Sequence, residues 1–386
     1  MSPHVYLIAG EPSGDVLGAR LINGLKELTA GDVRISGVGG PLMEAEGLNS
    51  LYGIEKLSVM GLVEIVASVP AINRLIRRVV ADIRAKRPDV VVTIDAQAFS
   101  HWVAKRLQPR TCPIVHYVAP TVWAWRPRRA KSLAKLVDRV LMLFAFEKPY
   151  FDAVGLDAVV VGHPIASHEV PADAGPRFRV DHGFGADDTV VCLLPGSRKS
   201  EIARLLPIFQ TVAERLTHGR PNLRFVLPTV GHIEATVRAA VADWSVPVTI
   251  LSGSEDDKHA ALRASDVALA KSGTVTLELA AAGLPSVIAY RANPMTAAIV
   301  RHVVRVRHAA MVNLIEGSEV LPEFLQEWAT PDNIFAAVSR LLDDEAPRRR
   351  QQDAMARVMT ALGKGGEPPH LRAARAVLEM VPRKND

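Results

Sequence analysis

Short continuous runs of Val, Ile and Leu alternate with stretches of helical period along the whole chain. In the first half the runs are Val5–Ala9, Val33–Gly37, Val90–Ile94, Ile114–Tyr117, Arg139–Leu143 and Ala158–Val161. In the second half they are Val190–Leu194, Arg224–Leu227, Val248–Leu251, Val267–Ala270 and Ser286–Ala289. A strand that is apolar at every position is buried on both faces, which implies parallel sheets flanked by helices. The pattern therefore predicts an α/β protein with two doubly wound parallel-sheet domains. Residues 167–188 are rich in Pro, Gly, Asp and His and have no clear period, so they read as a linker. This predicts domains at 1–166 and 167–386. The last ~40 residues are helical and basic, and packing back onto the first domain is left open for them.

In open α/β sheets ligands bind beyond the carboxyl ends of the strands, so the loops after each run hold the candidate chemistry. Gly10-Glu-Pro-Ser-Gly-Asp15 follows the first run and opens a helix. Ser13 or Asp15 can cap that helix, whereas Glu11, at a strand end, has less structural reason to be acidic. Asp95 ends the run Val90–Ile94, where a carboxylate can act as a general base or cap a helix. Gly162-His163-Pro164 closes the last strand of the first half, and His163 reads equally as a site residue or a structural one.

In the second half, Pro195-Gly-Ser197-Arg198 ends a strand and starts a long helix. Arg198 suits a diphosphate, or pairs with Glu201 three residues on. Ser272-Gly273-Thr274 is a small-residue turn between a strand and a helix that stops at Gly283, a favourable geometry for an anion. Glu278 shares a helix face with Thr274 and is a candidate for a ribose. Asn313 lies in the apolar run Met311–Ile315, and a buried amide requires partners that a ligand can supply.

Two further stretches stand out. Apolar residues from Ile65 to Ile83 recur at three- and four-residue spacing within Met60–Arg84, and Arg74, Arg77, Arg78 and Arg84 lie off that stripe. This is an amphipathic helix, packed on the sheet or placed on a membrane surface. His116–Arg126 concentrates a Tyr and two Trp, followed by Arg128, Arg129 and Lys131, in a chain with only 5% aromatic residues. A formal net charge of +5 favours an anionic partner. Cys112 and Cys192 both sit in apolar runs, as buried thiols do. No motif suggests a metal, and no signal peptide or membrane-spanning run is expected.

The blocks GEPSGD (10–15), GVGGP (37–41), VMGLVEI (59–65) and HYVAPTVWAWRPRR (116–129) resemble those of lipid-A-disaccharide synthases. So do FEKPYF (146–151), GHP (162–164), LLPGSRKSEI (193–202), SGTVTLE (272–278) and MVNLI (311–315). Together they span nearly the whole chain in order. The resemblance implies a GT-B-like fold, two facing domains with a cleft between them. It implies an inverting glycosyltransferase that joins UDP-2,3-diacylglucosamine to 2,3-diacylglucosamine 1-phosphate. The products would be the β-1,6 disaccharide 1-phosphate and UDP.

It further implies a cytoplasmic protein attached peripherally to an anionic inner-membrane surface, with no cofactor, no metal and no nucleic acid. A homodimer is left open. Asp95 would be the base and Glu11 its reserve. Ser197, Arg198, Ser272, Gly273, Thr274, Glu278, Asn313 and His163 would contact substrate. The family often has Ala-Pro-Asp-Phe after the acid corresponding to Asp95. Here the sequence is Ala96-Gln97-Ala98-Phe99, so no second acid follows. The alternatives are a UDP-sugar 2-epimerase of the same two-domain form and a non-catalytic peripheral protein that binds lipid or nucleotide sugar.

Overall fold

The structure, a computed structural model, describes residues 2–54, 65–123, 128–293 and 308–382, with the side chains of 65–69 outside the description. The chain forms two compact units, 1–167 with 361–386, and 168–360.

Among the described residues the first unit holds β1 (His4–Ala9), β2 (Arg34–Val38), β3 (Val90–Ile94), β4 (Ile114–Tyr117), β5 (Arg139–Met142) and β6 (Asp157–Val160). They form one parallel sheet in the order β2-β1-β3-β4-β5-β6. β1 and β3 are buried at every residue, as their unbroken apolar runs require. The helices are α1 (Pro12–Leu28), α2 (Pro41–Ala45), α3 (Ile65–Lys86), α4 (Gln97–Arg106), α5 (Arg128–Ala134) and α6 (Lys148–Asp152).

On α3, Ile76, Val79 and Ile83 are fully buried in the core under the sheet, while Arg74, Arg77, Arg78 and Arg84 are exposed. From Ile76 onward the apolar face of the expected amphipathic helix is thus occupied by its own domain. Residues 60–64 of that stretch lie outside the described residues.

The second unit begins with α7 (Ala174–Asp181), inside the stretch expected to be a linker. Phe178 is buried there, and Arg179 donates to Ala264 O at 2.9 Å and Asp266 Oδ2 at 2.8 Å. A buried aromatic and a fixed guanidinium make this segment part of the domain; Gly175 and Pro176 had disguised it. The sheet comprises β7 (Thr189–Leu194), β8 (Leu223–Thr229), β9 (Val248–Ser252), β10 (Val267–Lys271), β11 (Ser286–Tyr290) and β12 (Glu323–Leu325). Its order is β12-β11-β10-β7-β8-β9, all parallel.

Its helices are α8 (Lys199–Thr217), α9 (Glu234–Val241), α10 (Glu255–Ala264), α11 (Val275–Ala282), α12 (Met311–Glu316), α13 (Pro331–Asp343) and α14 (Glu345–Ala361). The final helix, α15 (Pro369–Leu378), buries Ala373, Ala374 and Val377 in one cluster with Leu21, Ile22 and Leu25 of α1, in the first unit. Arg139 fastens it by donating to Ala376 O at 2.7 Å. No described helix is long and apolar enough to cross a membrane.

Candidate active site

A cavity of about 350 Å³ opens at the carboxyl edge of the second sheet. β7, β8, β9 and β10 all end on it, and α8, α10 and α11 start from it. Ser197, Arg198, Gly273, Thr274 and Glu278 line it together.

The loop before α8 is organised by Glu201, a buried acid one turn into the helix. Its Oε2 accepts from the backbone N–H of Ser197 at 3.1 Å and of Arg198 at 3.4 Å. Its Oε1 lies 3.4 Å from Arg198 Nη1 and 3.1 Å from Lys271 Nζ. Burial pushes the Glu201 carboxyl up, but Lys271, the Ser197 N–H and Arg198 outweigh it, and the net shift is downward. The acid therefore stays ionised and holds both cations. Gly196 is obligatory here: φ is +118°, and an added Cβ would meet Glu201 Oε2 at 2.4 Å. Arg198 does pair with Glu201, yet loosely, since its side chain is 78% exposed.

At the start of α11, among the described residues, the backbone N–H groups of Gly273, Thr274 and Val275 meet no protein acceptor. With the helix dipole behind them they favour an anion. Thr274 stands at the N-cap in helical conformation, and its side chain does not cap the helix. Thr276 instead ties the turn to the helix from the carbonyl side, its hydroxyl donating to Gly273 O at 2.9 Å and occupying none of the helix-start N–H groups. Ser272 is buried under the turn, donating to Ala309 O at 2.8 Å, and is absent from the cavity wall.

Glu278 faces the cavity with Lys258 Nζ 2.6 Å away, and Lys258 also lies 3.1 Å from Glu255. Burial works against both charges. For Lys258 the carboxylates of Glu278 and Glu255 prevail and its pKa rises; for Glu278 burial prevails and its carboxyl is pushed up. A 2.6 Å contact to an ammonium favours the ionised pair, and we take that state. Glu255, His259 and Glu278 bring ligand atoms within 4.8 Å of one another, as a metal would need. The Lys258 ammonium already bridges the two carboxylates, so a metal ion there would face a like charge at close range.

Asn313 departs from expectation. It is fully buried, and its amide is satisfied by the chain itself. Nδ2 donates to Leu321 O at 2.8 Å and Glu323 Oε1 at 2.6 Å, while Oδ1 accepts from the N–H groups of Val320 and Leu321. No atom is left for a substrate, so its role is to fasten the loop before β12.

In the first unit, Asp95 and Glu11 meet at the carboxyl edge of the sheet. Asp95 follows β3 with φ +49° and Ala96 follows with φ +43°, two successive non-glycine residues in the left-handed region. Such conformations cost ~1–3 kcal/mol each and persist where the surroundings enforce them. Here Asp95 N–H donates to Tyr117 O at 2.9 Å, and Ser100 Oγ donates to Asp95 O at 2.8 Å. The carboxylate accepts from Ser13 Oγ at 2.8 Å. Glu11 is pushed up by burial and then by the Asp95 charge, which makes it the more readily protonated partner. Ser13 thus orients Asp95 rather than capping α1. Asp15 caps a different helix: its carboxylate accepts from the N–H groups of Gly40, Leu42 and Met43 at the start of α2.

His163 stacks on Phe144 with centroids 5.7 Å apart, and its Nδ1 accepts from Ile165 N–H at 3.1 Å. Burial, then Arg20, lowers its pKa to about 4, so it is a neutral ring with one nitrogen already used. Of the aromatic stretch, Trp123 is anchored by Nε1 donating to buried Glu147 at 3.1 Å, while Trp125 and Arg126 lie outside the described residues. Lys258 and Lys271 are the cavity cations that the sequence reading missed, whereas Glu201 was expected as a partner for Arg198. Lys271 sits at a strand's carboxyl end, which was a usable signal; Lys258 lies on α10 and carried none.

The family model for lipid-A-disaccharide synthetase matches residues 5–377. The lipid-A-disaccharide synthase of Rhodospirillum centenum is 46% identical over 98% of this chain and 95% of its own length. That of Paramagnetospirillum magneticum is 44% identical over 98% and 97%. Among solved structures, a putative UDP-N-acetylglucosamine 2-epimerase from Listeria monocytogenes aligns with a TM-score of 0.66 at 14% identity, covering 98% of this chain and 95% of that one. A glycosyltransferase of kitacinnamycin aligns at 0.63 with 18% identity, covering 99% and 100%. Structural likeness at such identities establishes the shared two-domain α/β fold of GT-B type and nothing finer, whereas the sequence matches run end to end. The chain belongs to the lipid-A-disaccharide synthetase family.

Proposed function

We propose that this chain transfers a 2,3-diacylglucosamine unit from its UDP ester to 2,3-diacylglucosamine 1-phosphate with inversion, releasing UDP. The observation that carries the donor half is the cavity of the second unit. It combines helix-start N–H groups with Arg198 and Lys271, which suits a diphosphate whose charge grows as the glycosidic bond breaks. Lys258 and Glu278 lie on the same wall, where Glu278 would accept from ribose hydroxyls. In the first unit Asp95 takes the proton of the acceptor's 6-hydroxyl as that oxygen attacks the anomeric carbon. Ser13 keeps the carboxylate oriented, and Glu11, the more easily protonated acid, positions the acceptor or stands in as base.

Lipid substrates require a membrane-facing surface. The exposed Arg74, Arg77 and Arg78 of α3 are proposed to meet anionic headgroups, each near-surface charge contributing ~1 kcal/mol. The test is mass spectrometry of products from purified protein with both lipid substrates. A disaccharide 1-phosphate together with UDP release that depends on the acceptor supports the proposal. UDP-sugar isomerised without an acceptor would instead establish the epimerase reading.

A further inference from the structure

A second cavity, of about 310 Å³, lies in the first unit. Its lining comes from β3, β4, α4 and α5 and from the segment after α5. Thr93 lines it two residues before Asp95, and Gln97 and Ala98 line it two and three residues after. Ser100, another lining residue, is the one whose hydroxyl holds Asp95 O. A ligand filling this space would be placed by the same short segment that places the proposed base.

The wall is mainly apolar, with Trp102, Pro120, Leu133, Leu136 and Val137. Three deeply buried polar residues interrupt it, Ser100, Thr93 and His116, and the hydroxyl of the first is already used by Asp95 O. Thr93 is 1% and His116 2% exposed, with Thr93 Oγ1 2.8 Å from His116 Nδ1. Thr93 Oγ1 is also 3.4 Å from Val115 O; we assign its proton to the shorter contact. The ring proton then sits on Nε2, which meets no acceptor among the described residues. Burial, and next the neighbouring His101, lowers the His116 pKa to about 4, so the ring is neutral at physiological pH. Arg129 also lines the cavity, with Nη1 3.4 Å from Gln97 Oε1. At the His116 ring, by contrast, a neutral donor among apolar side chains suits neither an anion nor a bare hydrocarbon. It suits a hydrocarbon chain bearing a carbonyl. At the rim Trp102 is 48% exposed, with Lys105 Nζ 5.5 Å and the Arg106 guanidinium 5.7 Å from its ring centre. An aromatic edged by cations fits the boundary between a lipid chain and an anionic head.

We propose that this cavity seats one fatty-acyl chain of the lipid acceptor, with its ester or amide carbonyl accepting a hydrogen bond from His116 Nε2. The inference rests on the reading that the acceptor is an acylated sugar. It adds the place of the chain and the group that recognises it. Seated there, the chain fixes the sugar's distance from Asp95, so chain length and carbonyl contribute to acceptor KM.

The test uses two single-chain probes below their micellar concentrations, lauroyl glycerol 3-phosphate and its ether analogue dodecyl glycerol 3-phosphate, titrated calorimetrically into the full chain. Wild type should bind one equivalent and prefer the acyl probe several-fold. Ser132→Trp introduces a large ring from an exposed lining position and should weaken both probes at least tenfold while leaving the UDP Kd unchanged. His116→Phe should remove the acyl-over-ether preference and retain ether binding. Should that variant fail to fold, Ser132→Trp decides alone. Unchanged probe binding by Ser132→Trp, or a preserved acyl preference in folded His116→Phe, overturns the proposal. Failure of the wider reading looks different: wild type would bind the probes yet release no UDP with lipid substrates. A Ser132→Trp enzyme that transfers at the wild-type acceptor KM would overturn the cavity's role while leaving the transferase reading intact.

Discussion

Replacing Lys271 by Met separates the cavity's electrostatics from its architecture. The ammonium is 3.1 Å from Glu201 Oε1, and the two side chains are only 19% and 11% exposed, so solvent screens the pair weakly. Glu201 is not orphaned by the change, because the N–H groups of Ser197 and Arg198 and the Arg198 guanidinium remain. The stability loss should therefore stay near the low end of the ~1.5–3 kcal/mol expected for a hydrogen bond to a charged group. For a unit of this size that lowers Tm by roughly 3–6 °C.

The effect on ligand should be larger. A charge-assisted bond to a diphosphate oxygen contributes about 1.5–3 kcal/mol, from which the bond that Lys271 gives up with Glu201 is subtracted, so the Kd for UDP should rise by about tenfold and at most about a hundred-fold. Uridine, which has no phosphate, should be nearly unaffected. Arg198→Ala should cost less, under about tenfold, because its mostly exposed guanidinium is screened by solvent. Calorimetric titration of UDP and uridine into wild type and both variants gives all the numbers. A Lys271→Met protein with a UDP Kd within twofold of wild type would refute the assignment of the diphosphate to this wall.

Three further perturbations test the rest. Asp95→Asn should lower kcat by ~10²–10⁴ with UDP affinity unchanged, since it removes a base and touches no donor contact; near-normal turnover would transfer the role to Glu11. Glu147 is buried, with its carboxyl pushed up to about 8 chiefly by burial. A raised carboxyl makes the fold most stable below the unfolded value near 4.5, with loss as pH rises toward 8 and a plateau beyond. Glu147→Gln keeps an acceptor for Trp123 and lacks that slope, so it should gain on wild type by on the order of 2–4 kcal/mol between pH 5 and 9 in urea titrations; parallel pH profiles would contradict the buried neutral acid. Arg74, Arg77 and Arg78 changed together to Ser should abolish the salt-sensitive part of binding to anionic vesicles without lowering Tm, and equal binding by both proteins at low salt would remove α3 from the membrane surface.

The fold was legible wherever burial leaves a local trace. Runs such as Val90–Ile94 are apolar throughout because both faces are covered, and they became strands with the same or nearly the same limits. β12 was missed because it is a three-residue edge strand, half-buried and opening with Glu323. α7 was missed because Gly175 and Pro176 interrupt its pattern and Phe178 is its one large buried side chain, beside the small Ala174 and Gly175. Side-chain roles were legible only when the partner was near in sequence. The rule that ligands gather at carboxyl ends led to Arg198, Gly273 and Glu278, which share one cavity. The reading of Asp15 as a cap for its own helix missed partners that start 25 residues away at Gly40, and the expectation that a substrate would satisfy Asn313 also failed. The sequence correctly demanded partners for that buried amide, but periodicity cannot reveal that the chain returns at Val320–Glu323 to supply them.

The cations lining the second unit's cavity are each tied to carboxylates of the same wall: Arg198 and Lys271 to Glu201, and Lys258 to Glu278 and Glu255. A diphosphate entering there does not simply add attraction. It competes with Glu201 for Lys271 and Arg198, and its net affinity is the difference between two sets of charge-assisted bonds. Glu201 can yield those cations at modest cost because its Oε2 keeps the backbone N–H groups of Ser197 and Arg198. Glu278 has no comparable backbone partner among the described residues, and burial already favours its neutral form. Lys258 is thus the cation least able to leave its carboxylate, which suits it to holding Glu278 in place for a neutral hydroxylated group. Lys271 and Arg198, by the same reasoning, are the pair free to follow a phosphate whose charge increases during the reaction.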